Sequence, residues 1–199
     1  WGTELRLGRE DVYPIRTYVE FESQTEEQSI DTIASLVELA GKCQSGEQIW
    51  IQILIRSAGS EWQEKGLRIV KKLKDESRTP ITTADGESFQ MFTMKTPGEI
   101  EILKAIEKSI SKPGFNTLIR YVYFAPKEIY NRSIPQKAVL GVFSQHGSIS
   151  LNTFTHNYGI WTMIEWHFPP FIFPKTRLNA RKSRVYRKFR ERDMPEQAE

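Results

Sequence analysis

The chain has 199 residues, with 28 Lys and Arg against 25 Asp and Glu for a net charge of +3, and it is 39% apolar and 27% charged. That composition suits a globular chain long enough to bury a core and excludes a collagen-like or wholly disordered one. One cysteine, Cys43, excludes an intramolecular disulfide framework and a cysteine-based zinc site.

Tyr13, Ile15, Thr17, Val19 and Phe21 alternate with more polar neighbours, which predicts a half-buried strand. Glu22–Ser29 reads as a polar loop. Ile30, Ile33, Ala34, Val37 and Ala40 then recur at helical spacing up to a stop at Gly41. Glu47–Arg56 is the clearest strand. Its Ile49, Ile51, Ile53 and Ile55 are expected to face a deep core, while Trp50 and Leu54 share a half-covered face with Gln48, Gln52 and Arg56. Ser60 with Gln63 predicts a capping box for a helix whose inner side carries Trp62, Ile69, Val70 and Leu73. Arg78–Ser88 reads as a polar loop turning at Asp85-Gly86, followed by a short strand over Phe89–Met94.

Thr96-Pro97-Gly98-Glu99 is a strong helix start: a threonine cap, proline at the first position and glutamate at the third. Ile100, Leu103, Ile106 and Ile110 follow, and Pro113-Gly114 ends the helix. Leu118–Phe124 reads as a second buried strand and Gln136–Phe143 as a helix. The order predicts an α+β fold, a two-layer sandwich with a mixed or antiparallel sheet and helices mainly on one face; a ferredoxin-like arrangement fits best. The globular domain is expected over residues 1–157. Residues 158–199 are expected to form an aromatic, proline-rich segment and a basic helical arm, with Thr176 as the helix cap.

The motifs point away from catalysis. There is no G-x-x-x-x-G-K-[ST], G-x-G-x-x-G or G-x-S-x-G sequence. His146, His156 and His167 are spaced unlike any compact metal motif. Ser144-Gln145-His146 is explained by a polar loop after a helix, and Cys43 lies past a helix carboxyl end, which disfavours a thiolate. We therefore expect no enzyme activity, no metal, no cofactor and no small-molecule substrate. The Trp50 face, with Gln48, Gln52 and Arg56, is expected to be covered by a neighbouring domain; its aromatic and arginine content also resembles sheet faces that bind RNA.

Charge is unevenly placed. Residues 175–199 hold nine basic and four acidic residues, a net of +5, whereas residues 1–174 carry −2. On a helical wheel Leu178, Val185 and Phe189 form a narrow apolar stripe, flanked by Arg177, Arg181, Arg184 and Lys188. Those four residues are the expected contacts to a polyanion, either lipid headgroups or nucleic acid, with Trp161 and Trp166 as interfacial aromatics. The alternative is an arm packed back on the domain with its charges solvated. The most apolar stretch, Tyr158–Pro174, is too short and too broken for a bilayer helix. A chain opening on Trp1 is expected to be a piece of a longer protein.

Val12–Tyr18, Gly46–Arg56, Ile102–Lys108, Lys112–Phe115, Ile119–Tyr123, Leu151–Phe154 and the closing Arg181-Lys182 to Tyr186-Arg187 helix together resemble a known family. It is an uncharacterised soluble domain of large membrane-anchored proteins from small uncultured bacteria, associated with type IV secretion or conjugation-type ATPases. The resemblance implies a non-catalytic assembly domain of a membrane-associated DNA- or protein-translocation machine. Its partners would be other domains or subunits of that machine, an ATPase among them. It also implies a cytoplasmic location at the inner face of the membrane, through a part of the protein not present in this chain. The Ile160–Pro174 segment is richer in Trp, Phe and Pro than the family pattern. The alternative function is a nucleic-acid-binding module acting through the basic arm.

Overall fold

A computed structural model describes residues 1–22, 33–75, 78–82, 88–92, 95–163 and 173–195. Four strands form the main sheet: β1 (Gly2–Leu7), β2 (Gln48–Ser57), β5 (Phe115–Phe124) and β6 (Phe154–His156), in the spatial order β2-β5-β1-β6. Every neighbouring pair is antiparallel. Hence β1 and β2 run the same way with β5 between them, and β5 and β6 run the same way with β1 between them. This is the strand order and direction of a ferredoxin-like sheet, within the expected α+β class. Its two crossovers carry α2 (Ala34–Gly41) and α5 (Val139–Ser144), the latter preceded by a π-helical turn over Ile134–Ala138. Where a ferredoxin-like chain makes a hairpin, this one inserts α3 (Glu61–Asp75), the β3–β4 hairpin (Arg78–Thr82 and Ser88–Phe92) and α4 (Pro97–Ile110).

Two apolar clusters result. In the first, Leu5, Leu39, Tyr121 and Val139 are buried between one sheet face and the α2/α5 layer, with Ile49, Ile51 and Ile119 packed against them. In the second, Val12, Val70, Ile106 and Ile110 are buried between α3 and α4. Gly66 permits the close approach of those helices, since a Cβ there would lie 2.6 Å from Ile110 Cδ1. The start of α4 forms as its sequence dictates. Glu99 N donates to Thr96 Oγ1 and Thr96 N donates to Glu99 Oε2, with Pro97 in the first turn.

Several expectations are corrected. The predicted strand over Tyr13–Phe21 is a loop leading into the five-residue α1 (Tyr18–Glu22). Pro14 has no N–H for a ladder, and Val12 and Tyr13 turn into the α3–α4 cluster instead. The buried Asn152 amide pins this loop, donating to the carbonyls of Arg9, Glu10 and Tyr13 while its Oδ1 accepts from Arg9 N. The first strand is instead Gly2–Leu7, whose sequence carries few β-formers and so no strand signal. Arg78–Thr82, expected as loop, is a strand because Thr79, Ile81 and Thr82 supply the β-branched residues that pair with β4. The Gln63 side-chain amide donates to Ile110 O and Lys112 O, which ties the start of α3 to the end of α4. Helix α6 (Pro174–Glu191) begins at Pro174, so Thr176 lies inside its first turn. Ile30 and the Asp85-Gly86 turn lie outside the described residues.

The isoleucine row of β2 is the largest correction. Ile49 and Ile51 are half-buried, but Ile53 is 53% and Ile55 64% exposed. The helical layer stops short of the far end of the β2–β5 ribbon. Replacing the fully buried Ile106 by Ala should therefore cost about 2–5 kcal/mol. Ile53→Ala should change monomer stability by no more than about 1 kcal/mol. Urea denaturation of the two variants checks both values.

Candidate functional site

Helix α6 lies over the centre of the second sheet face, at Gln52 and Arg120, while Gln48, Trp50 and Arg56 remain exposed. The contact is built on a polar row at its centre. Glu4 on β1, Arg120 on β5 and Gln52 on β2 stand directly opposite one another across three strands. Arg120 is fully buried and Glu4 is 3% exposed. The guanidinium Nε and Nη2 donate to Glu4 Oε1 at 2.9 and 2.5 Å. Nη1 donates to Gln52 Oε1 and Lys188 O, and Nη2 also donates to Asp193 O. All five N–H groups are thereby matched, which is what a charge this deep requires.

Three of the acceptors around this row are backbone carbonyls at the carboxyl end of α6, because Gln52 Nε2 also donates to Phe189 O. A helix ends with unsatisfied carbonyls and partial negative charge, so a buried cation and amide are suitable partners. The chain closes the end itself with a Schellman turn. Arg192 is left-handed at φ 54°, its N–H reaches Phe189 O, and Asp193 N donates to Lys188 O at 3.0 Å. Around the polar centre lie Val185, which is 1% exposed, and Phe189. Trp50 packs against Phe124 at 4.7 Å and against Phe189 at 5.9 Å between ring centroids. A Cβ on Gly2 would meet Val185 Cγ1 at 2.9 Å, so glycine lets β1 and α6 approach.

Docking divides the four basic residues expected to face a polyanion. Arg184 is exposed, whereas Arg177, Arg181 and Lys188 are half-buried. Arg181 Nη1 donates to Trp161 O and Met163 O, each at 3.1 Å, and Lys188 Nζ lies 3.6 Å from Asp193 Oδ2. The reason is geometric: Arg181 and Lys188 lie beside Val185 and Phe189 on the wheel, so the apolar stripe carries them into the contact. The solvent face of the helix instead presents Lys182, Arg184, Arg187 and Arg190. Ser183, Arg184, Tyr186, Arg187 and Arg190 line an open groove along it.

Trp161 does not serve as an exposed interfacial ring. It is 7% exposed and packs against Trp1, His156 and Tyr158. The strand edge holds this segment in place, since Thr162 N donates to Gly2 O and Gly2 N donates to Thr162 Oγ1. Trp166 and His167 lie outside the described residues.

Sequence reasoning missed the buried cluster around His156, in which the ring contacts Trp1, Tyr121, Tyr158 and Trp161. The Tyr121 hydroxyl lies 2.6 Å from Pro135 O and 2.8 Å from His156 Nε2. It has one proton, and the carbonyl can only accept. The hydroxyl therefore donates to Pro135 O in the π-helical turn and accepts from His156 Nε2–H. Burial pushes the Tyr121 hydroxyl pKa up and the His156 imidazole pKa down. Burial also raises the Cys43 thiol, with Glu47 adding to the effect, so its thiol form is favoured. Among the described residues no three His, Cys, Asp or Glu side chains are grouped to hold a metal ion. No family model, no curated protein and no solved structure matches the chain.

Two outcomes follow from this geometry. Arg120→Met leaves Glu4 buried without its cation and should cost about 3–5 kcal/mol. Adding Glu4→Leu should recover part of that loss, measurable as urea midpoints of the single and double variants. Folding also keeps His156 neutral by lowering its pKa below the ordinary 6.5. The unfolded chain then binds a proton first as pH falls. The histidine's favourable state is fully populated above pH 6.5, and stability should decline progressively below it. His146 shifts the same way, by burial and then by Arg16. Thermal melts from pH 8 to about 5.5 should show the decline, and His156→Gln should flatten it.

Proposed function

We propose that the chain is a non-catalytic assembly module of a membrane-associated translocation machine of the type IV secretion or conjugation kind. The observation that supports this reading is the uncovered end of the β2–β5 ribbon. Ile53, Ile55 and Phe115, at 53%, 64% and 60% exposure, share one sheet face because Ile53 stands opposite Ile119 and Ser57 opposite Phe115. An apolar strip on a well-formed sheet is characteristic of a surface that another protein covers. In this reading the partners are other domains or subunits of the machine, an ATPase among them. The module sits at the cytoplasmic face of the membrane through a part of the protein outside this chain. No described helix is long and apolar enough to cross a bilayer. The test is in-cell crosslinking of the full-length protein. Phe115→Lys should lose crosslinks to other subunits that the parent makes, without changing the melting curve; retention of the full set overturns the reading.

A second reading, binding of nucleic acid or anionic lipid, is favoured by the outward face of α6. With the apolar stripe docked, Lys182, Arg184, Arg187 and Arg190 are left in solvent on one helix. Binding through them would be salt-sensitive and indifferent to base sequence. Reversing Arg184, Arg187 and Arg190 to Glu should abolish retention on heparin or duplex DNA. Reversing the docked Arg181 should instead lower the melting temperature. Unchanged retention of the triple variant would make the face merely solvated.

A further inference from the structure

We propose that two copies of the chain pair through β2, forming one continuous antiparallel sheet about a twofold axis at Gln52. The inference rests on the assembly reading above and identifies a partner as a second copy. β2 is an edge strand of ten residues; β5 holds one side, and among the described residues no strand lies on the other. Edge strands carry a row of unpaired N–H and C=O groups, and proteins protect them with Pro, Lys, bulges or inward charges. Gln48–Ser57 has neither Pro nor Lys. Its ladder with β5 runs through all ten residues without a bulge, and its one charge is Arg56 near the end. Such an edge is built to be extended.

The strand itself specifies what extends it, because its chemistry reads alike in both directions from Gln52. Set antiparallel to itself with Gln52 opposite Gln52, it places Ile51 opposite Ile53 and Ile49 opposite Ile55 on one face. On the other face Trp50 meets Leu54 and Gln48 meets Arg56. Every apolar residue meets an apolar one, every polar residue a polar one, and no like charges are opposed. Cross-strand pairs of this kind are the stabilising unit of a sheet. Moving the axis by one residue destroys the match. About Ile51, Trp50 faces Gln52 and Glu47 faces Ile55; about Ile53, Gln52 faces Leu54 and Trp50 faces Arg56. Pairing would also give the exposed Ile53 and Ile55 apolar neighbours on the free-edge side, beyond Ile119 and Thr117 on β5. A twofold axis perpendicular to the sheet keeps each face continuous, so both α6 helices lie on the same side of the joined sheet.

Sedimentation equilibrium of the chain at about 100 µM should give twice the 23.2 kDa monomer mass. Ile53→Lys and Ile55→Lys each set a charge among the paired isoleucines and should weaken the dimer at least about tenfold. Both side chains are exposed in the monomer, so the melting curve of either variant at low concentration should match the parent's. In a Cys43→Ser background, a spin label at Ser57→Cys reports the register. An axis at Gln52 puts the two backbones at that position about 34 Å apart, ten residues of rise along the strand. A monomeric parent overturns self-pairing, and so does a dimer indifferent to both lysines. If either result comes with crosslinks still lost in Phe115→Lys, a different protein covers the ribbon and the assembly reading stands. If those crosslinks also persist, both fall.

Discussion

The guanidinium of Arg120 is the point on which the two layers of one sheet face depend. It lies on the central strand β5, between Glu4 of β1 and Gln52 of β2, and beneath the last carbonyls of α6. Burying a carboxylate and a guanidinium removes both from water at considerable cost, and their mutual attraction alone seldom recovers it. What makes the arrangement tenable is that each of the five N–H groups has an acceptor, three bonds going to side chains and two to the helix end. The ion pair therefore acts less as a source of stability than as a specification. A helix ending elsewhere, or a strand slipped by one residue, would leave a buried charge without partners.

The inserted segment between β2 and β5 explains why the sheet is covered unevenly. In a simple hairpin those strands would turn at once and their ends would stay short. Here they extend to Ser57 and Phe115 to reach α3 and α4, which bury their own cluster around Ile106 rather than the ribbon. The helical layer of α2 and α5 reaches Ile49 and Ile51 and no further. Exposure of Ile53 and Ile55 is thus a consequence of topology: a ten-residue strand is longer than the layer laid across it. The strand must be that long because the insertion begins at its far end.

How much of this was legible in the sequence depended on the range of the interaction involved. Local codes read correctly: the Thr96–Glu99 box starts α4 as written, and the period-two pattern of Gln48–Ser57 is a strand. The α+β class followed from the order of such elements. Errors arose where distant residues decide. Alternation over Tyr13–Phe21 matched a strand, but Val12 is buried against helices about 60 and 95 residues away, and Pro14 cannot donate to a ladder. The isoleucine row suggests one buried face because periodicity shows which side chains share a face, not how far the opposite layer extends. Likewise Gln52 and Arg120 looked like polar residues on a bare face. Only the register of three strands reveals that they meet Glu4 and the end of α6.

The arm shows why a basic block cannot be read from its charge alone. A helix with a narrow apolar stripe must dock by that stripe, and residues three or four places away are carried in with it. Val185 and Phe189 fix the orientation, so Arg181 is committed to the carbonyls of Trp161 and Met163, while the Lys188 ammonium turns to Asp193 and its backbone carbonyl accepts from Arg120. The charges available to an outside partner are those about 100 to 160° around the helix from Val185, namely Arg184, Arg187 and Arg190. Basic residues in one block therefore differ in kind. Arg181, under the helix, adds to the docking, and its loss would weaken it; those above can change without disturbing the fold. Docking converts a block with no direction into a surface with one, and the Arg120 network beneath fixes which way that surface points.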